Sequence, residues 1–194
     1  MYAKVENNII VKVNSSLASF NKAAPAWDVA QLAANGIYEV VYDGSNLKDE
    51  RFYINGAESF TFANDNVTSS HSAATGKALD DVNEVDEDDA PLLDDNGNQV
   101  VTLGLKSNEK NKIKSQAAGA LQSTDWYVVR KAESSTAIPA NVSTYRTAVR
   151  TTSNEIETAI DGAATVAALE ALFTYTLGAD DVSSRPLSEF PILA

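Results

Sequence analysis

The chain has 194 residues, of which 44% are hydrophobic and 8% aromatic, so there is apolar material for one core or two small ones. It has no cysteine, which excludes a disulfide framework, a thiol nucleophile and a thiolate metal site. A formal net charge of -12 argues against broad nucleic-acid binding, because phosphate recognition needs clustered Lys and Arg.

The opening residues, Met1 to Asn8, lack a basic region followed by an apolar core, and no run approaches the ~20 apolar residues of a membrane helix. The expectation is a soluble product with no membrane role. Residues 2–13 read as a hairpin about the turn pair Asn7-Asn8. Leu17, Phe20, Ala24 and Trp27 have a loose helical spacing that Pro25 interrupts. Val29 to Ala34 is a short helix stopped by Gly36, and Ile37 to Tyr42 is a strand. Arg51 to Asn55 and Glu58 to Phe62 are predicted to pair across Asn55-Gly56, a turn that tolerates positive φ. Trp27, Tyr38, Phe52, Tyr53, Phe60 and Phe62 are core or sheet-face residues, with an aromatic ligand platform as the lesser alternative.

From Asn64 the composition turns to small polar and acidic residues, the pattern of a linker that cannot repay its ordering entropy. Every charged residue from Asp80 to Asp95 is an acid, whereas Lys106, Lys110, Lys112, Lys114, Arg130 and Lys131 make the following stretch basic. Either the acids form a solvated loop, or they face complementary charge in this chain or a neighbouring copy. A β pattern resumes on either side of Asp95-Asn96-Gly97-Asn98. Asp94, Asn96 and Asn98 invite comparison with a calcium loop, but Gly97 is misplaced for one and the closing Glu is missing. His71, the single histidine, sits in a polar run and is expected to be solvent-exposed. Carboxylate pairs drawn from Asp86, Asp88, Asp94 and Asp95 are a weak basis for hydrolysis, since an acid/base pair needs a formed cleft and two different environments. No phosphate-binding glycine loop, dinucleotide fingerprint or zinc-protease helix is present, and the expectation is a non-enzymatic chain without cofactor or metal.

Asn108 to Leu121 places Ile113, Ala117, Ala120 and Leu121 on one helical face. Thr124 and Asp125 are predicted to close a connector anchored by Trp126 and extended by Tyr127, Val128 and Val129; a buried Trp126 would be worth about 3–5 kcal/mol. Pro139 suits the first turn of a second helix that runs to Gly162, with Val142, Tyr145, Val149, Ile156 and Ile160 on its apolar face. Arg146 and Arg150, one turn apart, are either solubilising or contacts to acidic groups. Thr165 to Thr174 is a third amphipathic segment. In the Pro-interrupted end, Leu187, Phe190, Ile192 and Leu193 are candidate anchors of a docking arm.

Leu121-Gln122-Ser123-Thr124-Asp125-Trp126, the later Tyr145-Arg146-Thr147-Ala148-Val149-Arg150, the start Met1-Tyr2-Ala3-Lys4-Val5-Glu6-Asn7 and Gly36-Ile37-Tyr38 together resemble the tail fibre assembly, or tail assembly chaperone, proteins of tailed bacteriophages. The resemblance implies an Asp-Trp connector between two helices, here Asp125 and Trp126, and a Tyr-Arg-x-x-x-Arg pattern on the second helix, here Tyr145, Arg146 and Arg150. It implies a structural component of a phage tail, baseplate or fibre-attachment apparatus, with other tail, baseplate or fibre proteins as partners and a homo-oligomer as a further possibility. The product would assemble in the host cytoplasm and reside in the virion tail; the alternative is an assembly chaperone absent from the mature virion. The expected architecture is α+β: a β-rich domain at 1–63, an acidic linker with a hairpin at 64–106, a helical domain at 107–176 and an arm at 177–194.

Overall fold

The computed structural model describes residues 1–193 and has the mixed α+β architecture expected, with a β-rich first part and a helical second part. The chain divides into two compact units, Met1–Gly76 and Lys77–Ala194.

In the first unit, β1 (Tyr2–Glu6) and β2 (Ile9–Asn14) form the Asn7-Asn8 hairpin, both turn residues taking positive φ, 50° and 64°. Two 3-10 turns, Leu17–Ser19 and Ala24–Ala26, replace the loose helix. The helix α1 (Val29–Ala34) starts in a reciprocal capping box between Asp28 and Gln31. It stops at Gly36, whose φ of 67° and close approach to the Val5 carbonyl both require glycine. Then follow β3 (Ile37–Asp43), β4 (Tyr53–Ile54), β5 (Glu58–Ala63), β6 (Asn66–His71) and β7 (Thr75–Gly76). The main sheet has the order β2-β1-β3-β6-β5, with β3 and β6 parallel and the other pairs antiparallel. Its edge strands β2 and β5 approach each other, so the sheet curls into a half-barrel around Ala3, Val5 and Val67.

Two expectations fail in this unit. Asn55-Gly56 makes no hairpin: neither residue takes positive φ, and the Asn55 side chain instead bonds the Lys48 backbone at both N–H and carbonyl, 2.9 Å each. The true turn is Asn64-Asp65, with φ of 50° and 56°, which folds β6 back onto β5. Residues 64–71, assigned by composition to the linker, are therefore sheet, because Val67 fills the half-barrel core and needs few large neighbours to do so. His71 is correspondingly half-buried on β6, its Nδ1 2.9 Å from the Gly56 carbonyl.

The second unit begins with a small β module between β8 (Val82–Asn83) and β9 (Val101–Thr102). Val85-Asp86 to Leu92 and Leu93-Asp94 to Val100 are successive turns of one pattern. Asp86 Oδ1 accepts the Asp88 and Ala90 N–H groups, and Asp94 Oδ1 accepts those of Asn96 and Asn98. Asp89 and Gly97, at the same place in each turn, have φ of 59° and 81°. The bridges Val85–Pro91, Leu93–Gln99 and Asn83–Val101 relate the three strands pairwise. Glu84 N–H donates to Val100 O, Val100 N–H to Leu92 O and Leu92 N–H to Glu84 O, closing a pseudo-threefold ring. The Gln99 amide sits in that ring and donates to all three carbonyls. The hairpin expected about Asp95-Asn96-Gly97-Asn98 is thus one turn of a closed module, and the acidic stretch before it, read as linker, is another; backbone bonds and Asx turns hold both, so the module needs little apolar burial.

The helices α2 (Leu105–Gln122), α3 (Asp125–Ser134), α4 (Ala140–Gly162) and α5 (Val166–Phe173) follow, then a hairpin of β10 (Thr176–Leu177) and β11 (Ser183–Ser184). Leu105, Glu109, Ile113 and Ala117 recur every four residues on the buried face of α2. On α4 the buried positions are Val142, Arg146, Val149, Ser153, Ile156 and Ile160, a heptad spacing that keeps one seam against α2. The pairs Lys110–Asp161, Lys114–Glu157 and Tyr145–Ala120 set the two helices antiparallel. Gly104 and Asp81 lock the module's base to α2: Asp81 accepts the Gly104 N–H at 2.8 Å and the Ser107 hydroxyl at 2.9 Å, while the first N–H groups of α2, from Leu105 and Lys106, donate to the Ala78 and Leu79 carbonyls.

Candidate functional site

The residues singled out at 121–150 converge at the end of the bundle where α2 stops and α4 begins. Helix α2 leaves its last carbonyls unpaired. Two α4 side chains reach across to them, Tyr145 Oη to Ala120 O at 2.8 Å and Arg146 Nη1 to Leu121 O at 3.1 Å. Arg146 also donates to Thr124 Oγ1 at 2.6 Å and pairs with the Asp125 carboxylate at 2.8 Å. Thr124 is 1% exposed and its hydroxyl donates to Leu121 O, which explains a polar cluster in an otherwise apolar seam. Of the two readings left open for Arg146, the structure selects an intramolecular contact: it is the buried pin of the α2–α3 junction. Arg150 is exposed and its one hydrogen bond, to the Arg146 carbonyl, is long at 3.4 Å.

Trp126 departs from expectation. Asp125 opens a helix of its own, so only Ser123 and Thr124 link α2 to α3, and Trp126 lies on the outside of α3, 50% exposed. It anchors nothing in this chain. No residue of α3 is buried, and Val128 and Val129 are 42% and 54% exposed. The indole stacks on Tyr127, ring centroids 3.9 Å apart, and the Arg130 guanidinium covers both rings at 4.6 and 5.2 Å. Arg130 Nε is shielded there without a hydrogen-bond partner among the described residues. From sequence Tyr127 was read only as an extension of the Trp126 anchor and Arg130 only as one of a run of bases, although Arg130 lies four residues on from Trp126, the spacing of neighbours on a helix. A preformed aromatic-guanidinium cluster on a helix with no buried residue is the composition of a binding hot spot.

The C-terminal residues divide. Leu187 is 4% exposed and belongs to the unit's own core, while Phe190 is half-buried. Ile192 is 92% and Leu193 38% exposed. Arg185 pairs with Glu189 at 2.9 Å and covers the Tyr175 ring, and Tyr175 Oη donates to Glu189 at 2.6 Å. The Tyr175 hydroxyl, and secondarily Arg185, hold the Glu189 carboxyl below its ordinary range; the same bond pushes the Tyr175 phenol up. The proposed arm is therefore strapped down as far as Glu189, and only its last residues project.

In the first unit, Tyr2, Trp27, Tyr38, Asp28 and Glu39 line an open groove of about 670 Å³. Asp28 is spent on the α1 cap, its carboxylate accepting the Gln31 N–H at 2.8 Å. Among the described residues no helix is long and apolar enough to cross a membrane. Asp94, weighed as a calcium ligand, points its carboxylate at its own turn, and the backbone N–H of Asn98, then its side chain, keep the group below the usual carboxylate range. No protein-family model, curated protein or solved structure matches this chain.

Proposed function

We propose that this protein is a non-enzymatic structural component of a tailed-phage tail, baseplate or fibre-attachment apparatus, and that it works by protein–protein packing through α3. The observation that supports packing is the Trp126-Tyr127-Arg130 cluster on a helix with no buried residue. Burying such a surface in a partner removes apolar area from water at about 25 cal/mol per Å², and the guanidinium needs no reordering to bind. The phage context rests on the resemblance carried by Leu121 to Trp126 and Tyr145 to Arg150. That second segment supplies the pin, Arg146, which fixes where α3 leaves the bundle.

The test is quantitative mass spectrometry of washed, intact virions from a phage encoding this chain. A reproducible stoichiometry is expected, together with loss of incorporation in the Trp126→Ala/Arg130→Ala variant. Presence in infected cells but absence from virions would instead support the assembly chaperone, which the same resemblance allows.

A further inference from the structure

The second unit is electrically and chemically polar from end to end. At the α2 N-terminus stands the β module, whose charged residues from Glu84 to Asp95 are all acids and which has no buried residue. Its threefold pattern puts Val85, Leu93 and Val101 in equivalent positions, 51%, 55% and 41% exposed, so an acidic module also presents aliphatic side chains to solvent. At the other end, an α2 of 18 residues or about 27 Å away, stands α3 with Trp126, Val129 and Arg130 on one face.

The distribution of ion pairs makes the polarity sharper. Lys106, Lys110, Lys112 and Lys114 are each paired, with Asp80, Asp161, Glu109 and Glu157, and Arg146 is paired with Asp125. Arg130, Lys131 and Arg150 have no carboxylate partner among the described residues, and all three lie at the α3 end, with Glu133 as the one unpaired acid on α3 itself. Two unpartnered surfaces, one acidic-aliphatic and one basic-aromatic, are thus held apart by the length of a helix and cannot meet within one chain.

We infer that they meet between chains: the β module of one copy docks on α3 of the next, in a head-to-tail contact. This rests on the reading of α3 as an interface and adds its occupant, a second copy. Opposite charge fixes the direction of approach, and the exposed aliphatic side chains of the module, Leu93 among them, supply apolar surface for the indole. Because the two patches differ, the contact is heterologous, and repetition gives a closed ring or an open filament.

The experiment is sedimentation velocity on the full chain over a concentration series, with two variants. Trp126→Ala/Arg130→Ala/Lys131→Ala removes the α3 patch; Glu87→Lys/Asp88→Lys/Leu93→Ser removes the module patch. Every substituted side chain lies outside the core, and unchanged far-ultraviolet circular dichroism checks that each variant folds. The wild type is expected to associate, each variant alone to be monomeric, and an equimolar mixture to form a dimer and nothing larger, since one good pair of patches remains. A wild type that stays monomeric at its highest soluble concentration, or a mixture that stays monomeric, would overturn the head-to-tail contact. If the Trp126→Ala/Arg130→Ala variant still failed to enter virions, the proposed function would stand with a different protein on α3.

Discussion

At the scale of single residues, Arg146 does the work of three donors. Its guanidinium serves a helix-end carbonyl, a buried hydroxyl and a carboxylate that begins the next helix. Removing it takes the guanidinium from the Thr124 oxygen and the Asp125 carboxylate, while the Leu121 carbonyl keeps the Thr124 N–H and hydroxyl, so Arg146→Ala is expected to cost about 1–3 kcal/mol in urea unfolding, less than a fully buried pair because Asp125 remains half in solvent. Arg146→Lys should recover only part, because all three contacts are made by Nη1 and the lysine ammonium ends one bond short of that position; a lysine variant as stable as wild type would refute the pin. Trp126 behaves oppositely. Half of the indole is already in water, and its contacts are to neighbours on the same helix. Trp126→Ala should shift stability by less than about 1 kcal/mol, the scale of a stacking and cation–π contact at an exposed site. A large loss of stability would mean that the indole is packed inside the chain after all.

At the scale of elements, the polar middle and the C-terminal end show that structure does not require apolar density. The β module is built from backbone bonds in a ring, Asx turns and one central glutamine, a solution in which acids at the turns stay solvated. The end of the chain is held by a single buried leucine and the Arg185-Glu189-Tyr175 strap. Leu187→Ala should therefore cost about 2–4 kcal/mol, the range for a core leucine. Deleting residues 192–194 should leave the thermal midpoint of the protein where it was, because Ile192 is in solvent. The reverse outcome, a tolerant Leu187 and a damaging truncation, would place the anchor in the last residues.

At the scale of the whole molecule, stability should be greatest over a broad neutral range. Asp43, Asp81, Asp94 and Glu189 accept bonds that depress their folded values: from Ser45 for Asp43, first from Gly104 and then Ser107 for Asp81, from Asn98 for Asp94 and from Tyr175 for Glu189. Their contributions are present above the ordinary carboxylate range and are lost as pH falls through the depressed folded values. Lys110, raised chiefly by its bond to Asp161, and Tyr175, raised by Glu189, contribute below their ordinary values and lose that contribution as pH rises through the raised ones. Thermal midpoints against pH should fall on both sides. Asp81→Asn should shallow the acid limb; an acid limb identical to wild type would remove Asp81 as a tie between the β module and the start of α2.

Much of this architecture follows from local chemistry. The Asn7-Asn8 hairpin, α1 with its Gly36 stop, β3, and the helices near 108–121, 139–162 and 165–174 were legible because turn residues, caps and helical spacing act over a few residues. The segment Thr124 to Val129 was legible as important but not as a helix with its apolar side in water, since whether an amphipathic face finds a partner is settled by what packs beside it. Arg146 turned out more deeply buried than its neighbour Tyr145 for the same reason. Spacing put tyrosine on the apolar face, but the open carbonyls of α2 drew the guanidinium inward. The β module carried a faint sign, the apolar-Asp pairs Val85-Asp86 and Leu93-Asp94 eight residues apart. Its closure depends on hydrogen bonds among three strands and on Gln99 finding three carbonyls at once. The sequence by itself determined which segments turn, cap and coil, because those choices are local. Only the tertiary structure decided which surfaces remain without a partner, because burial is a property of neighbours brought together from distant parts of the chain.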